Sequence, residues 1–366
     1  MEEIDRWSDI GQDLLEEISK RFFSYNEYIQ LRLVCKEWSL KLAKIPRVSK
    51  TPWLLLPEET FKNHCYEDEE IYQLMQLPLA DDETLDTDAL EEEEIHRMML
   101  PDMQKHNILI RGSCHGCLII MGRNTRFGIF VTKLLGGTLD SHSMHRIQLW
   151  KVIINSSPDY DDENFMAVAI FRPCNRLAFY KPGNSRWTEF PTKDEDFEDV
   201  IFFEEKIYAI NNDDQIYEFE TKGRAGLIRG GIHESRPPAD ELPLGPYYPK
   251  HLIGCGNGSL LMLVRHVSRT LGMRRTKEHE TSKFDIYELK RNRKEWSKLD
   301  NLGNHILLVG FNSSAQIPAP FLSKGNQIWF TDILLEVKSS FEHVVAQDIG
   351  IFDLDEGSFK RVLLDV

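Results

Sequence analysis

One short signature recurs through most of this chain and constrains its fold more than any other feature. It is a branched apolar residue, an aromatic, a variable residue and a second apolar one. It reads Ile71-Tyr72-Gln73-Leu74, Ile216-Tyr217-Glu218-Phe219, Ile286-Tyr287-Glu288-Leu289 and Ile351-Phe352-Asp353-Leu354, with looser copies at Ile129-Phe130 and Leu177-Ala178-Phe179-Tyr180. Apolar positions alternating over this length describe half-buried strands. A second strand is expected before most copies, at Cys117–Ile120, Lys206–Ile210, Ser259–Leu263 and Gln327–Phe330. A third follows some of them, at Arg186–Phe190, Glu295–Leu299 and Ser358–Val362. Asn211 to Gln215 supplies a tight link, since Asn and Asp tolerate left-handed turn geometry.

The copies begin near residues 71, 129, 177, 216, 286 and 351, so successive starts lie 58, 48, 39, 70 and 65 residues apart. Blades of the better-known propellers repeat at roughly 40–50 residues, and insertions account for the longer gaps. A β-sandwich is the plainer alternative, but it would not group its strands in threes at this spacing. Radial repetition protects most sheet edges and predicts a β-propeller over residues 51–366.

The first fifty residues follow another plan. Ser8 or Asp9 can cap a helix, and Asp9-x-x-Gln12 has the spacing of a capping box. Leu14, Ile18 and Phe22 recur every fourth residue with Leu15 beside them, which makes one apolar stripe. Ser24-x-x-Glu27 opens a second segment carrying Tyr28, Leu31 and Cys35, with Val34 widening its face. A third runs through Trp38, Leu42 and Ile45 until Pro46 stops it. Three helices this short bury too little surface to stand alone. Either some of these positions pack on another chain, or the helices cap the protein's own body.

The chain has 366 residues with a net charge of −15, but most of the excess is local. Thirteen acidic residues and no Lys or Arg lie between Glu67 and Glu94. That composition reads as a solvated loop, and an acidic, mobile insertion is expected around 78–106. No basic stripe suggests nucleic-acid binding. No apolar run reaches the ~20 residues that span a bilayer, and no basic segment leads into an apolar one as in a secretory leader. Six cysteines in so long a chain are not a disulfide framework, so cytoplasm, nucleus or both are expected.

Motifs for chemistry are weak. Cys114-x-x-Cys117 lacks the second pair that would complete a zinc tetrahedron, and His142 and His145 are poor substitutes, so two small buried residues on a strand are expected instead. Gly254-Cys255-Gly256-Asn257-Gly258 precedes a strand rather than a helix, which argues for a turn and against a phosphate loop. Arg265, Arg269, Arg274, Arg275 and Lys277 form a basic stretch between two strands, expected as a projecting solvent loop or a patch for an acidic partner. No catalytic residue, cofactor or metal is assigned.

Two resemblances add to this reading. Trp7-Ser8-Asp9-Ile10, Asp13-Leu14-Leu15, Ile18, Arg21-Phe22, Leu31-Arg32, Val34-Cys35-Lys36 and Trp38 resemble an F-box over about residues 4 to 50. Ile10-Gly11 stands where that family usually has Leu-Pro. Cys114-His115-Gly116-Cys117-Leu118, Val152 to Pro158, Phe179 to Gly183 with Trp187, and Asp199 to Phe203 with Lys206 to Ile210 look like the KIB-type propeller region of plant proteins. Together they imply an α+β multidomain protein, with a three-helix F-box at 1–50 and an all-β KIB-type propeller at 51–366.

The implied partners are a Skp-type adaptor and, through it, the cullin and RING subunits of a ubiquitin ligase. Ile10, Leu14, Leu15, Ile18, Leu31, Val34, Cys35 and Trp38 would contact the adaptor, and the propeller would recruit an unknown target protein. The chain itself would be a non-catalytic substrate receptor. An interaction scaffold without ligase assembly, or a propeller enzyme, are the alternatives.

Overall fold

The computed structural model describes residues 10–19, 30–42, 53–57, 72–76, 95–98, 108–114, 117–122, 129–130, 148–156, 165–172, 174–182, 184, 187–192, 195–222, 227–233, 248–271, 277–290, 295–310, 313–319, 324–331 and 348–361. Helices α1 (Gln12–Ser19) and α2 (Lys36–Lys41) flank a helical turn at 30–33, and among the described residues every other regular element is a strand. Among the described residues no helix is long and apolar enough to cross a membrane.

The described strands form six sheets in chain order. The first holds β1 (Trp53–Pro57), β2 (Tyr72–Gln76) and β3 (Ile95–Met98), and the second β4 (Ile108–Cys114), β5 (Cys117–Gly122) and β6 (Ile129–Phe130). The third runs β7 (Gln148–Ile154), β8 (Ala167–Arg172), β9 (Arg176–Tyr180) and β10 (Thr188–Glu189). The fourth runs β11 (Phe197–Phe203), β12 (Lys206–Asn211), β13 (Ile216–Lys222) and β14 (Leu227–His233). The fifth runs β15 (Lys250–Gly254), β16 (Leu260–Leu271), β17 (Lys277–Lys290) and β18 (Glu295–Lys298).

The sixth has the order β20 (Ser314–Pro318), β19 (His305–Val309), β21 (Gln327–Phe330), β22 (Gly350–Asp353) and β23 (Ser358–Arg361). Its β19 and β21 are parallel, and all other pairs among the described residues are antiparallel. The third to sixth sheets, with four or five strands each, are complete propeller blades.

The signature falls on a strand of every sheet: β2, β6, β9, β13, β17 and β22. In the complete blades that strand is next to the outermost one. Its variable position carries a repeated contact. Glu218 pairs with Lys206, Glu288 accepts a 2.6 Å bond from Ser259 Oγ, and Asp353 receives Gln327 Nε2 at 3.5 Å and Lys324 Nζ at 2.9 Å. In each case the acid meets a residue at or just before the start of the preceding strand.

The expectation of half-buried strands is corrected. β12 is buried at five of its six positions, and Ala167 to Ile170 of β8 are all buried. Alternation is present, but it sends successive side chains into two different cores. Tyr208 and Ile210 pack with Leu252, Met262 and Tyr287, while Ile207 and Ala209 pack with Phe197, Val168 and Phe179. Ile253, Leu261 and Leu263 turn the other way again, to Ile328 and Phe330. Each core lies between two consecutive sheets, so strands covered on both faces become apolar on both.

Around the axis, β4, β7, β11, β15 and β20 succeed one another as neighbours. The ring closes where Ser113 N donates to Ser313 Oγ at 3.1 Å and Ser313 Oγ donates to Ser113 O. These residues lie 200 positions apart in sequence.

Several sequence expectations land differently. Gly254 to Gly258 is a turn, as expected, with Gly258 at φ +85° and a 2.9 Å bond from Cys255 N to Ser259 O. Cys114 and Cys117 are register partners across the β4–β5 hairpin rather than neighbours on one strand. The basic stretch is mostly strand: Arg269 and Lys277 lie on β16 and β17, leaving only 272–276 outside the described residues. Arg265 is buried. The acidic segment lies outside the described residues apart from β2 and β3, as do Trp7 to Asp9, Phe22, Ser24 to Tyr28, Ile45, Pro46, His142 and His145.

Candidate functional site

The helices make a small core of their own. Leu15, Leu31, Trp38 and Leu42 are buried together, with Ile10, Ile18 and Cys35 packed against them. Helix α1 starts from the Gly11 carbonyl, which accepts Leu15 N at 3.1 Å. Helix α2 starts from Cys35, whose backbone is extended at φ −156° and whose side chain makes no capping bond. Lys41 Nζ donates to Ile10 O at 2.8 Å, tying the end of the last helix to the start of the first. Arg32 Nη2 reaches Ser39 O at 3.3 Å and braces the turn before α2.

That core leaves four large apolar side chains in water: Leu14, Leu33, Val34 and Leu40, at 57, 70, 57 and 77% exposure. Among the described residues these are the exposed large hydrophobics: Leu14 on α1, Leu33 on the helical turn, Val34 in the bend after it and Leu40 on α2. Of the eight residues singled out from the sequence, Leu15, Leu31 and Trp38 thus sit inside, Ile10, Ile18 and Cys35 line the core's edge, and Leu14 and Val34 face outward. Leu33 and Leu40 were passed over because they lie off the apolar stripe. For Leu40 the signal was its place two positions from Trp38, on the far side of a helix whose inner face Trp38 fills; Leu33 offered none.

The propeller offers buried charge instead of exposed apolar surface. Lys151 of β7 pairs with Asp199 of β11, and Asp199 also accepts Val200 N at 2.8 Å and Leu252 N at 2.7 Å. One carboxylate thereby joins three consecutive sheets. His251 of β15 lies 3.5 Å from Ser314 Oγ, its Nε2 buried without a hydrogen-bond partner among the described residues. Burial lowers this imidazole to about 4, assisted by Arg265 and Lys151 against the pull of Asp199, so it is neutral at neutral pH.

Two further clusters join sheets. Lys250 of β15 sits between Glu198 of β11 at 3.1 Å and Asp214 of the β12–β13 turn at 2.8 Å. Burial raises Glu198 to about 7 despite Lys250, with Asp214 adding to the rise. Asp348, fully buried, receives Arg265 Nη2 at 3.0 Å, Thr281 N at 2.6 Å, the Thr281 hydroxyl and Arg361. Arg265 also donates to Thr331 O at 2.9 Å, and its guanidinium lies 5.0 Å from the centre of the Phe330 ring.

Asp199 and Asp348 are each surrounded by donors, which is the pattern of structural ion pairs rather than of a nucleophile poised with its base. Among the described residues no group of three His, Cys, Asp or Glu is arranged to hold a metal.

Comparison with known proteins agrees with this architecture. Residues 85–353 match the KIB1-4 β-propeller family. Two Arabidopsis thaliana proteins, F-box proteins by name, are similar to the chain. At5g60060 is 25% identical over 220 residues, 57% of this chain and 52% of that protein, so the chain spans about half of its length in the match. At3g25750 is 22% identical over 373 residues, 97% of this chain and 93% of that protein. Among solved structures, the β-propeller domain of Cps50 (Swd1) from Myceliophteria thermophila aligns with a TM-score of 0.35 at 7% identity, covering 71% of this chain and 70% of that one.

Proposed function

The chain belongs to the KIB1-4 β-propeller family, and from that premise we propose that it is a substrate receptor of an SCF-type cullin–RING ubiquitin ligase. The helical module docks on a Skp-type adaptor, and the propeller holds a target protein. The observation that carries this reading is the concentration of exposed large apolar side chains on the helices. Two relatives named as F-box proteins support the choice of adaptor.

In this reading Leu14, Leu33, Val34 and Leu40 enter the adaptor's groove, with Ile10, Ile18 and Cys35 at the margin. Leu15, Leu31 and Trp38 act from beneath by holding the helices in place. Buried aliphatic anchors commonly dominate such interfaces. The chain performs no bond chemistry. Binding adaptor and target together raises the local concentration of target lysines near the charged ubiquitin carrier, and the rate gain is one of proximity.

Coexpression of the full chain with a Skp-type adaptor tests the reading. The wild type is expected to copurify with it, and Leu14→Asp combined with Leu40→Asp to reduce capture at least tenfold with the propeller's melting temperature unchanged. Absence of capture by the folded wild type would refute the assignment.

A further inference from the structure

Along β17 the side chains on one face pass from core to water within a few residues. Tyr287 is fully buried and packs with Met262 and Val264 against Tyr208 and Ile210 of the preceding sheet. Two positions back on the same face Asp285 is also buried, and two further back Lys283 has 54% of its side chain exposed. Register sets His266 of β16 opposite Lys283, and Lys298 of β18 opposite Tyr287. Three adjacent strands thus bring two lysines and a histidine to one carboxylate at the margin of the fifth sheet.

The contacts converge. His266 Nε2 lies 2.7 Å from Asp285 Oδ2, and the Tyr248 ring meets the imidazole with centroids 5.0 Å apart. Lys283 Nζ and Lys298 Nζ reach Oδ1 of the same carboxylate at 2.8 and 3.2 Å, so one small anion can touch both nitrogens. Burial opposes the charge on Asp285, but bonds from His266, Lys283 and Lys298 outweigh it and hold the carboxyl below its ordinary range. Asp285 therefore stays ionised and cancels one of the two lysine charges. Three other lysines of the blades are outnumbered instead. Lys206 meets Glu218 and Glu220, Lys250 meets Glu198 and Asp214, and Lys324 meets Asp353, Asp355 and Glu356. At Asp285 the cations are in excess.

We propose that Lys283 and Lys298, positioned by Asp285, form a subsite for the phosphate of a phosphorylated side chain on the recruited protein. This rests on the receptor reading above and names the chemistry of its target. An ammonium carries three donors, and Lys283 turns at most two of them to Asp285. A phosphate monoester brings about two negative charges and three acceptor oxygens, more than the carboxylate of an Asp or Glu offers. The buried carboxylate holds both ammonium groups in place before the target arrives, so binding costs less ordering than it would on free side chains.

The test uses the full chain and two probes followed by phosphorus NMR: inorganic phosphate and a short glycine peptide with one central phosphoserine. The wild type is expected to broaden both signals, less so as salt rises. The same peptide with glutamate in place of phosphoserine should compete at least fivefold more weakly. Lys283→Gln with Lys298→Gln should weaken phosphopeptide binding at least fivefold. Lys206→Gln with Lys324→Gln removes the same charge from lysines that acids already outnumber, and should change it less than twofold. Melting curves check each fold; should the first pair melt early, Lys298→Gln alone replaces it, with at least a threefold loss expected. No broadening of the peptide signal by the wild type, an unchanged affinity in the first pair or its replacement, an equal loss in both pairs, or equal competition by the glutamate peptide would overturn the proposal. Adaptor capture is read in the same preparations. It should survive both pairs, and its failure in the wild type would count against the receptor reading while leaving the peptide result to stand on its own.

Discussion

The helical module and the propeller handle apolar surface in opposite ways. Strands of the third, fourth and fifth sheets bury theirs on both faces, because each of those sheets packs between two others. The helices close around four side chains and leave four comparable ones outside. The described propeller strands keep their apolar side chains inside, whereas the helical module has a core of its own and still presents apolar side chains to water. The contrast teaches where to look for each activity: apolar docking on the helices, polar and charged recognition on the propeller.

The largest expected effect would break the propeller and spare the helices. Asp348→Ala leaves Arg265 buried without its anion, a loss on the order of 3–5 kcal/mol. Calorimetry should show the propeller transition fall by many degrees while adaptor capture persists. Trp38→Ala is the mirror experiment. It empties the small helical core at a cost of roughly 3–5 kcal/mol, and should abolish adaptor capture with the propeller transition unmoved. Equal damage to both regions by either variant would mean that they do not behave as separate units.

Protons should distinguish the regions next. Glu198 titrates at about 7 in the fold against an ordinary 4.5. The folded state therefore keeps a proton that the unfolded chain releases, and this group's contribution to stability declines as pH rises from about 4.5 through 7. Below that window it is neutral in both states and costs nothing. Glu198→Gln should flatten the decline, with a gain of roughly 3 kcal/mol at most above pH 7. Melting curves between pH 5 and 8 on both proteins measure it, and a parallel pair of curves would remove Glu198 as the cause.

The smallest effect sharpens the helical side. A side chain at Gly11 would meet nothing within 4 Å, and its backbone is outside the left-handed region. Gly11→Pro should stabilise the helical module by about 0.4–1 kcal/mol through a stiffer unfolded chain. Adaptor affinity should rise by a few-fold at most, as titration calorimetry would show.

The propeller was legible because its signature strand is nearly the same in every sheet. The inner strands were harder. Lys151 and Asp199 interrupt the apolar runs of β7 and β11 and make sense only when set side by side across 48 residues. β14 and β20 went unforeseen, since Leu227–His233 holds two glycines and Ser314–Pro318 is mostly exposed or half-buried and ends in a proline. Double-sided burial was hidden for a related reason: alternation reports that successive residues differ in direction, not that one direction is water. On the helices the stripe was visible but not its outward edge. Leu14 and Leu15 are adjacent, and a period of 3.6 residues does not decide which faces inward until the neighbouring helices are in place.

The acid at the variable position of the signature has a consequence for fidelity. In a sheet with one wet face, a strand that slips by one residue throws its apolar side chains into solvent and is punished at once. A blade strand buried on both sides has no such alarm, because a slip merely exchanges one greasy layer for another. Glu218 with Lys206, Glu288 with Ser259 and Asp353 with Gln327 and Lys324 each carry one polar mark that fits at a single offset. They work like the notch on a gear, indexing strands that hydrophobicity alone would let idle.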